Sequence, residues 1–226
     1  MYIGSIGKPF VARRTPDGVE AAVWSHSAPD LAKNEATMFM NEVLTSLEPA
    51  NVAVFDGNDV QLHIIPHDKR LTNLDEFGWL KGTKTFDGEN YDDVRGIGGK
   101  KFGSSILYAV AEETLIQIPG KPSAYYTGYV VSHESGHVVE HFALTKTQRK
   151  RLQEAYNARK DANGPWLSAY ASSDLHEYFA QSTAAFFAHP QNDREADKVA
   201  YTRAWLQKND RPMYKLLADV YKRAAA

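Results

Sequence analysis

His133 and His137 stand four residues apart in the run His133-Glu134-Ser135-Gly136-His137, with Val130, Val131, Val138 and Val139 on either side. On a helix, residues at i and i+4 share a face, so the two imidazoles are presented together while the valines demand cover from the rest of the chain. The fold must therefore bury a helix and still leave two histidines side by side. Two neutral imidazole nitrogens so placed can hold one metal ion at about 2.0–2.1 Å each. Glu134 lies one step round the helix, outside the reach of that ion but beside a water the ion activates, where its carboxylate can accept a proton. A third protein ligand and an open position are still needed for catalysis, because a site closed by four ligands is structural.

The chain has 226 residues and no cysteine, so disulfides and thiolate metal sites are excluded and any metal must be held by histidine and carboxylate. Its formal charge of −2, with Lys and Arg scattered among acids, excludes the basic face that tracks a phosphate backbone. Nucleic acid is not expected as a partner. No stretch approaches the roughly 20 apolar residues of a membrane span, and the opening MYIGSIGKPFVARR lacks the apolar core of a signal peptide.

Residues 1–28 show no clear periodicity and read as an irregular arm, leaving 29–226 as one domain. Asp30 to Leu47 carries a helical apolar stripe, and Val52–Phe55 with Gln61–Ile65, split by Asp56-Gly57-Asn58-Asp59, suggests a hairpin. Asn73 to Lys101, rich in glycine and aromatic residues, reads as a long exposed loop suited to substrate contact. Strands are expected at Ser104–Val110, as an edge strand, and at Thr114–Ile118. Helices follow at Tyr126–Phe142, Thr147–Ala158, Asp174–Ala188, Arg194–Lys208 and Asp210–Arg223.

The third ligand is narrowed by exclusion. The metzincin pattern needs a histidine six residues after the second, with a glycine between, and Ala143 and Glu140 occupy those places. His141 continues the ladder, but about 6 Å further along the helix, too far to share the same ion. His26, His63, His67 and His189 have no matching partner. In Tyr170-Ala171-Ser172-Ser173-Asp174-Leu175-His176-Glu177, Ser173 can cap a helix whose first turns carry Glu177, with His176 as the competing ligand. Tyr170 precedes that helix, and its hydroxyl suits the oxyanion formed when water attacks a carbonyl.

Together, Gly78-Trp79, Tyr91-Asp92-Asp93-Val94-Arg95-Gly96-Ile97-Gly98-Gly99, the His133-Glu134-x-x-His137 run and Tyr170-x6-Glu177-Tyr178-Phe179-Ala180 resemble the anthrax lethal factor-like metallopeptidases, which include the secreted Pro-Pro endopeptidases. The resemblance spans about residues 34–217. It implies an α+β, zincin-like (gluzincin) fold with a small N-terminal sheet, an active-site helix and a helical C-terminal half. It also implies zinc held by His133, His137 and Glu177, with Glu134 as base and Tyr170 as the transition-state hydroxyl. The family's substrate loop corresponds to the region near Trp79 to Gly99, which brings Trp79, Tyr91, Gly98 and Gly99 forward as substrate-binding residues together with His176. An extended protein or peptide substrate would lie along the strand near Ser104–Val110, and a secreted or extracellular setting is implied. Departures fall at His176 and Gln181, where a Glu is usual, at Arg95 in place of Pro, and in extra residues at Asp87–Asn90, so a proline preference does not carry over. The rival reading from another class is a zinc-stabilised binding or assembly module without turnover; the intact Glu134 argues for the endopeptidase.

Overall fold

The computed structural model describes residues 11–14, 19–25, 27–55, 57–85, 88–120, 128–162, 164–191 and 195–222. Five strands, β1 (Val11–Arg14), β2 (Glu20–Trp24), β3 (Asp59–Ile65), β4 (Gly96–Phe102) and β5 (Ser105–Ala111), form one sheet in the order β1-β2-β3-β5-β4. The central strands β2, β3 and β5 run parallel, and β1 and β4 pair antiparallel at its two edges. Parallel neighbours need a crossover, and α1 (Asp30–Leu44) with α2 (Pro49–Phe55) supplies the one from β2 to β3.

Both faces of the sheet are covered, so β5 reads as a nearly continuous apolar run and β3 is buried over most of its length despite Gln61 and His63. Ile106, Tyr108 and Val110 of β5 join the main core against α1 and α3 (Tyr129–Phe142), while Leu107 and Ala109 join a second cluster. That second cluster includes Leu71, Leu74, Phe77, Leu80 and Val94. The C-terminal half is helical: α4 (Lys146–Asp161), α5 (Leu175–Phe186), α6 (Glu195–Ala200), α7 (Arg203–Asn209) and α8 (Arg211–Val220). The architecture is thus α+β, with a small sheet and a helical second half. Among the described residues no helix is long and apolar enough to cross a membrane.

Several expectations are corrected. Part of the supposed arm 1–28 forms β1 and β2; in β2 the alternation rests on small Ala21 and Val23, buried beside a less buried Ala22, which gives little periodic signal. Val52–Phe55 belongs to a helix and not to a hairpin. Pro49 opens that helix with a preset φ, and the buried Asn51 amide donates to Ala143 O at 2.9 Å and Gln148 Oε1 at 2.6 Å. The segment 73–101 is not an exposed loop throughout: its first half covers the second face of the sheet, and its glycine run is strand β4. That puts β5 in the interior and makes β4 the edge. A 3-10 turn at Glu112–Thr114 replaces the strand expected at Thr114–Ile118. The single helix expected over Arg194–Lys208 is two, because Tyr201 is buried at the break and the Thr202 hydroxyl accepts from Trp205 N at 3.1 Å to start α7.

Candidate metal centre

Helix α3 carries the histidine pair through the middle of the molecule. Gly128 begins it with φ of 76°, a left-handed backbone that suits glycine, and nearly every following side chain is buried, His133, Glu134 and Ser135 among them. Helix α5 crosses α3 at Gly136, where an added Cβ would lie 2.8 Å from Ala180 Cα. That close approach brings Glu177, one turn earlier on α5, up to the two imidazoles. The Asp174 carboxylate caps α5, accepting from the backbone N–H groups of His176 and Glu177, both at 2.8 Å. Ser173, expected in that role, instead donates its hydroxyl to Tyr170 O at 2.7 Å.

Three donor atoms converge. His133 Nε2 lies 3.2 Å from His137 Nε2 and 3.2 Å from Glu177 Oε2, and His137 Nε2 lies 3.3 Å from Glu177 Oε1. A tetrahedral ion with bonds of about 2.0–2.1 Å sets its ligands about 3.3–3.4 Å apart, so the spacing fits a metal ion. Glu177 Oε2 is buried and faces only His133 Nε2 at 3.2 Å, the place of a ligand atom kept for an ion. Burial opposes its charge, but the hydrogen bonds of His133 and His137 hold the Glu177 carboxyl well below the usual range. The Tyr170 hydroxyl, on a half-exposed 3-10 turn, donates to Glu177 Oε1 at 3.1 Å.

Glu134 is also buried, beside this cluster and outside it. Burial pushes its carboxyl up to about 7; the Glu177 charge adds to this, while His133 and Lys100 pull the other way. Strand β4 runs directly over α3. A Cβ on Gly98 would stand 2.4 Å from His137 Cβ, so that position admits only glycine at this separation, and one on Gly96 would stand 2.5 Å from Glu134 Oε1 and push the base aside. Between β4, α3 and the start of α5 opens a cleft of about 390 Å³.

Of the residues expected to meet substrate, Tyr91, Gly98, Gly99 and His176 line this cleft. Trp79 does not; it is half-exposed on a 3-10 turn and donates its indole N–H to Glu76 O at 3.0 Å. Gly96, Lys100 and Glu89 also line the cleft; they fall in the 73–101 segment expected to contact substrate but were not singled out there. The period-2 glycines of β4 were the available signal for the first of these.

His176 is separate from the triad and pairs with Glu140, whose Oε2 lies 2.9 Å from His176 Nδ1 and 2.7 Å from His141 Nδ1. His141 Nδ1 also faces His137 O at 3.0 Å, the position of a proton donor, so with that nitrogen protonated the group forms a charge network. Burial raises the Glu140 carboxyl, but the hydrogen bonds and charges of His141 and His176 outweigh it and bring it to about 2 from an ordinary 4.5. Its hydrogen bond to Glu140 raises His141 above its ordinary 6.5. The Glu140 contribution to stability is therefore complete above pH 4.5 and lost as pH falls toward 2; that of His141 is complete below pH 6.5 and lost as pH rises through its folded value. Thermal melts of metal-free wild type and Glu140→Gln are expected to differ most between those two pH values and to draw together at either extreme. A constant difference across that range would contradict the pairing. The remaining described histidines lie elsewhere: His63 is stacked on Trp24, His67 is bonded to Glu112, and His189 is bonded to Ser132.

No protein-family model and no curated protein matches this chain. Among solved structures it is similar to the PRO-PRO endopeptidase (PPEP-2) from Paenibacillus alvei, with a TM-score of 0.54 over 87% of this chain and 95% of that one, at 18% sequence identity. That likeness establishes a related fold.

Proposed function

We propose that this chain is a zinc-dependent endopeptidase of the gluzincin type, and the observation that carries the proposal is the convergence of two buried imidazole nitrogens and one buried carboxylate at ligand spacing on the floor of an open cleft. His133, His137 and Glu177 would hold the ion. Hard and borderline donors of this kind, two nitrogens and one oxygen with no sulfur, suit zinc. Zinc bound there would polarise the scissile carbonyl and lower the pKa of a water toward about 7.

The remaining steps belong to the chain's own side chains. Glu134, buried beside the triad, takes the proton of the attacking water and delivers it to the leaving amine. The Tyr170 hydroxyl, already within 3.1 Å of Glu177, turns to donate to the oxyanion of the tetrahedral intermediate. Among the described residues β4 is the edge strand along the cleft wall, so an extended peptide can add to the sheet there as a further strand. This moves the substrate edge from the Ser104–Val110 region to β4. The PRO-PRO endopeptidase likeness favours peptide as the substrate class.

Two measurements test the proposal. The purified chain is expected to bind one zinc, and His137→Ala or Glu177→Ala to abolish that binding; stoichiometric zinc in either variant would contradict the ligand set. Tyr170→Phe is expected to keep the zinc and lower kcat by about 10²-fold. An unchanged kcat would remove Tyr170 from the reaction.

A further inference from the structure

The cleft holds one cation with no ion-pair partner among the described residues. Lys100 lines it on β4, and its ammonium lies 5.8 Å from the centroid of the Tyr91 ring. The register of β4 against β5 shifts between Ile97 and Lys100. A bulge of this kind resets the alternation of side chains. Gly98 and Gly99 therefore both turn toward α3, against His137 and Phe142, and Lys100 is the first side chain beyond the metal centre on the exposed edge.

Of the other charges lining the cleft, Glu134 is the buried base whose carboxyl Lys100 pulls down without an ion pair, and the rest are engaged elsewhere. His141 and His176 share Glu140, Asp174 caps α5, and Glu177 lies against the two histidines. Glu89 is an acid on the same wall, but it forms no ion pair with Lys100 among the described residues. A cation held over an aromatic ring and beside the reacting centre attracts an anion from whatever occupies the cleft.

We propose that Lys100 forms an acid-selecting subsite: it binds the carboxylate of a Glu or Asp side chain on the peptide, two or three residues from the scissile bond. This rests on the endopeptidase reading. The distance follows from position, because Lys100 stands two residues past Gly98, which touches His137, and a strand advances about 3.3 Å per residue. A peptide running antiparallel to β4 would bring the acid to the N-terminal side of the cut.

The test uses the zinc-loaded protein and pairs of C-terminally amidated peptides, taken from its cleavage products, that differ only in Glu or Gln at one position. A third arm carries the Gln peptide with a free C-terminal carboxylate, to separate a side-chain from a chain-end source. Wild type is expected to favour the Glu peptide by about fivefold in kcat/KM, mostly through KM, as an ion pair open to solvent allows. Lys100→Gln should bring the ratio to one, Lys100→Arg should keep it, and Lys100→Glu should favour a Lys peptide instead. A Glu/Gln ratio of one in wild type, or one unchanged in Lys100→Gln, would overturn the subsite. A gain only from the free carboxylate would overturn it in favour of chain-end recognition. Failure to cut any peptide would sink the endopeptidase reading itself, and equilibrium binding of the Glu and Gln peptides to the Glu134→Gln variant would then still decide the subsite.

Discussion

Replacing Glu134 with Gln is expected to lower peptide turnover by about 10²- to 10⁴-fold, the range of a lost general base, and at the same time to stabilise the metal-free protein. The two effects share one cause. Glu134 is buried at the foot of the cleft, and burial raises its carboxyl from an ordinary 4.5 to about 7. A group whose pKa rises on folding costs nothing below pH 4.5 and progressively destabilises the fold as pH rises through about 7. At pH 8 the charge should cost the metal-free protein about 3 kcal/mol, which the neutral amide of Gln removes. Melts with chelator present should show the variant more stable than wild type at pH 8 and equal to it near pH 4.5. Zinc binding should persist, because Glu134 is not one of the three converging donors. Unchanged turnover would eliminate Glu134 as the base, and equal stability at pH 8 would mean that its charge is well solvated.

Gly136→Ala should damage both the fold and the metal site, although local propensity argues the opposite. In a helix interior alanine is favoured over glycine by about 1 kcal/mol. Here the new methyl would meet Ala180 Cα at 2.8 Å and Thr183 Cβ at 3.1 Å, and a backbone atom cannot rotate aside. Overpacking of this kind costs about 1–3 kcal/mol, so the net change should be a loss of stability. To relieve the clash α5 must move off α3, carrying Glu177 away from His133 and His137, its neighbours at 3.2 and 3.3 Å. Zinc affinity should fall by about 10- to 100-fold, as for other disturbances of ligand support. A variant with wild-type melting and wild-type affinity would mean that the crossing tolerates a wider spacing than the structure gives.

What was legible in the sequence follows from which signals are local. The spacing of His133 and His137 is fixed by helix geometry, and the structure brings Glu177 to them across the α3–α5 crossing, with Tyr170 in hydrogen-bond contact. The helices of the second half were legible from apolar periodicity, and the α+β class was what the family resemblance implied. Strand β4 was not, because Gly96, Gly98 and Gly99 look like a loop in isolation; the segment is a strand through its pairing with β5, and its glycines answer to the close approach of α3. Val52–Phe55 misled for the opposite reason: its β-branched residues suit a strand, and Pro49 and the buried Asn51 decide otherwise. The capping of α5 by Asp174 instead of Ser173 is a one-residue shift that both sequence positions allow. The Glu140–His141–His176 network joins two helices, so no local pattern reports it.

Cleavage of a mixed peptide library by the purified, zinc-loaded chain, followed before and after addition of a chelator, bears most directly on the claim that this site hydrolyses peptides. New amino termini should accumulate from internal bonds, stop when the metal is removed, and resume when zinc is restored. A zinc-loaded protein that is folded and cuts nothing across a broad library would contradict the endopeptidase and leave a metal-stabilised binding module.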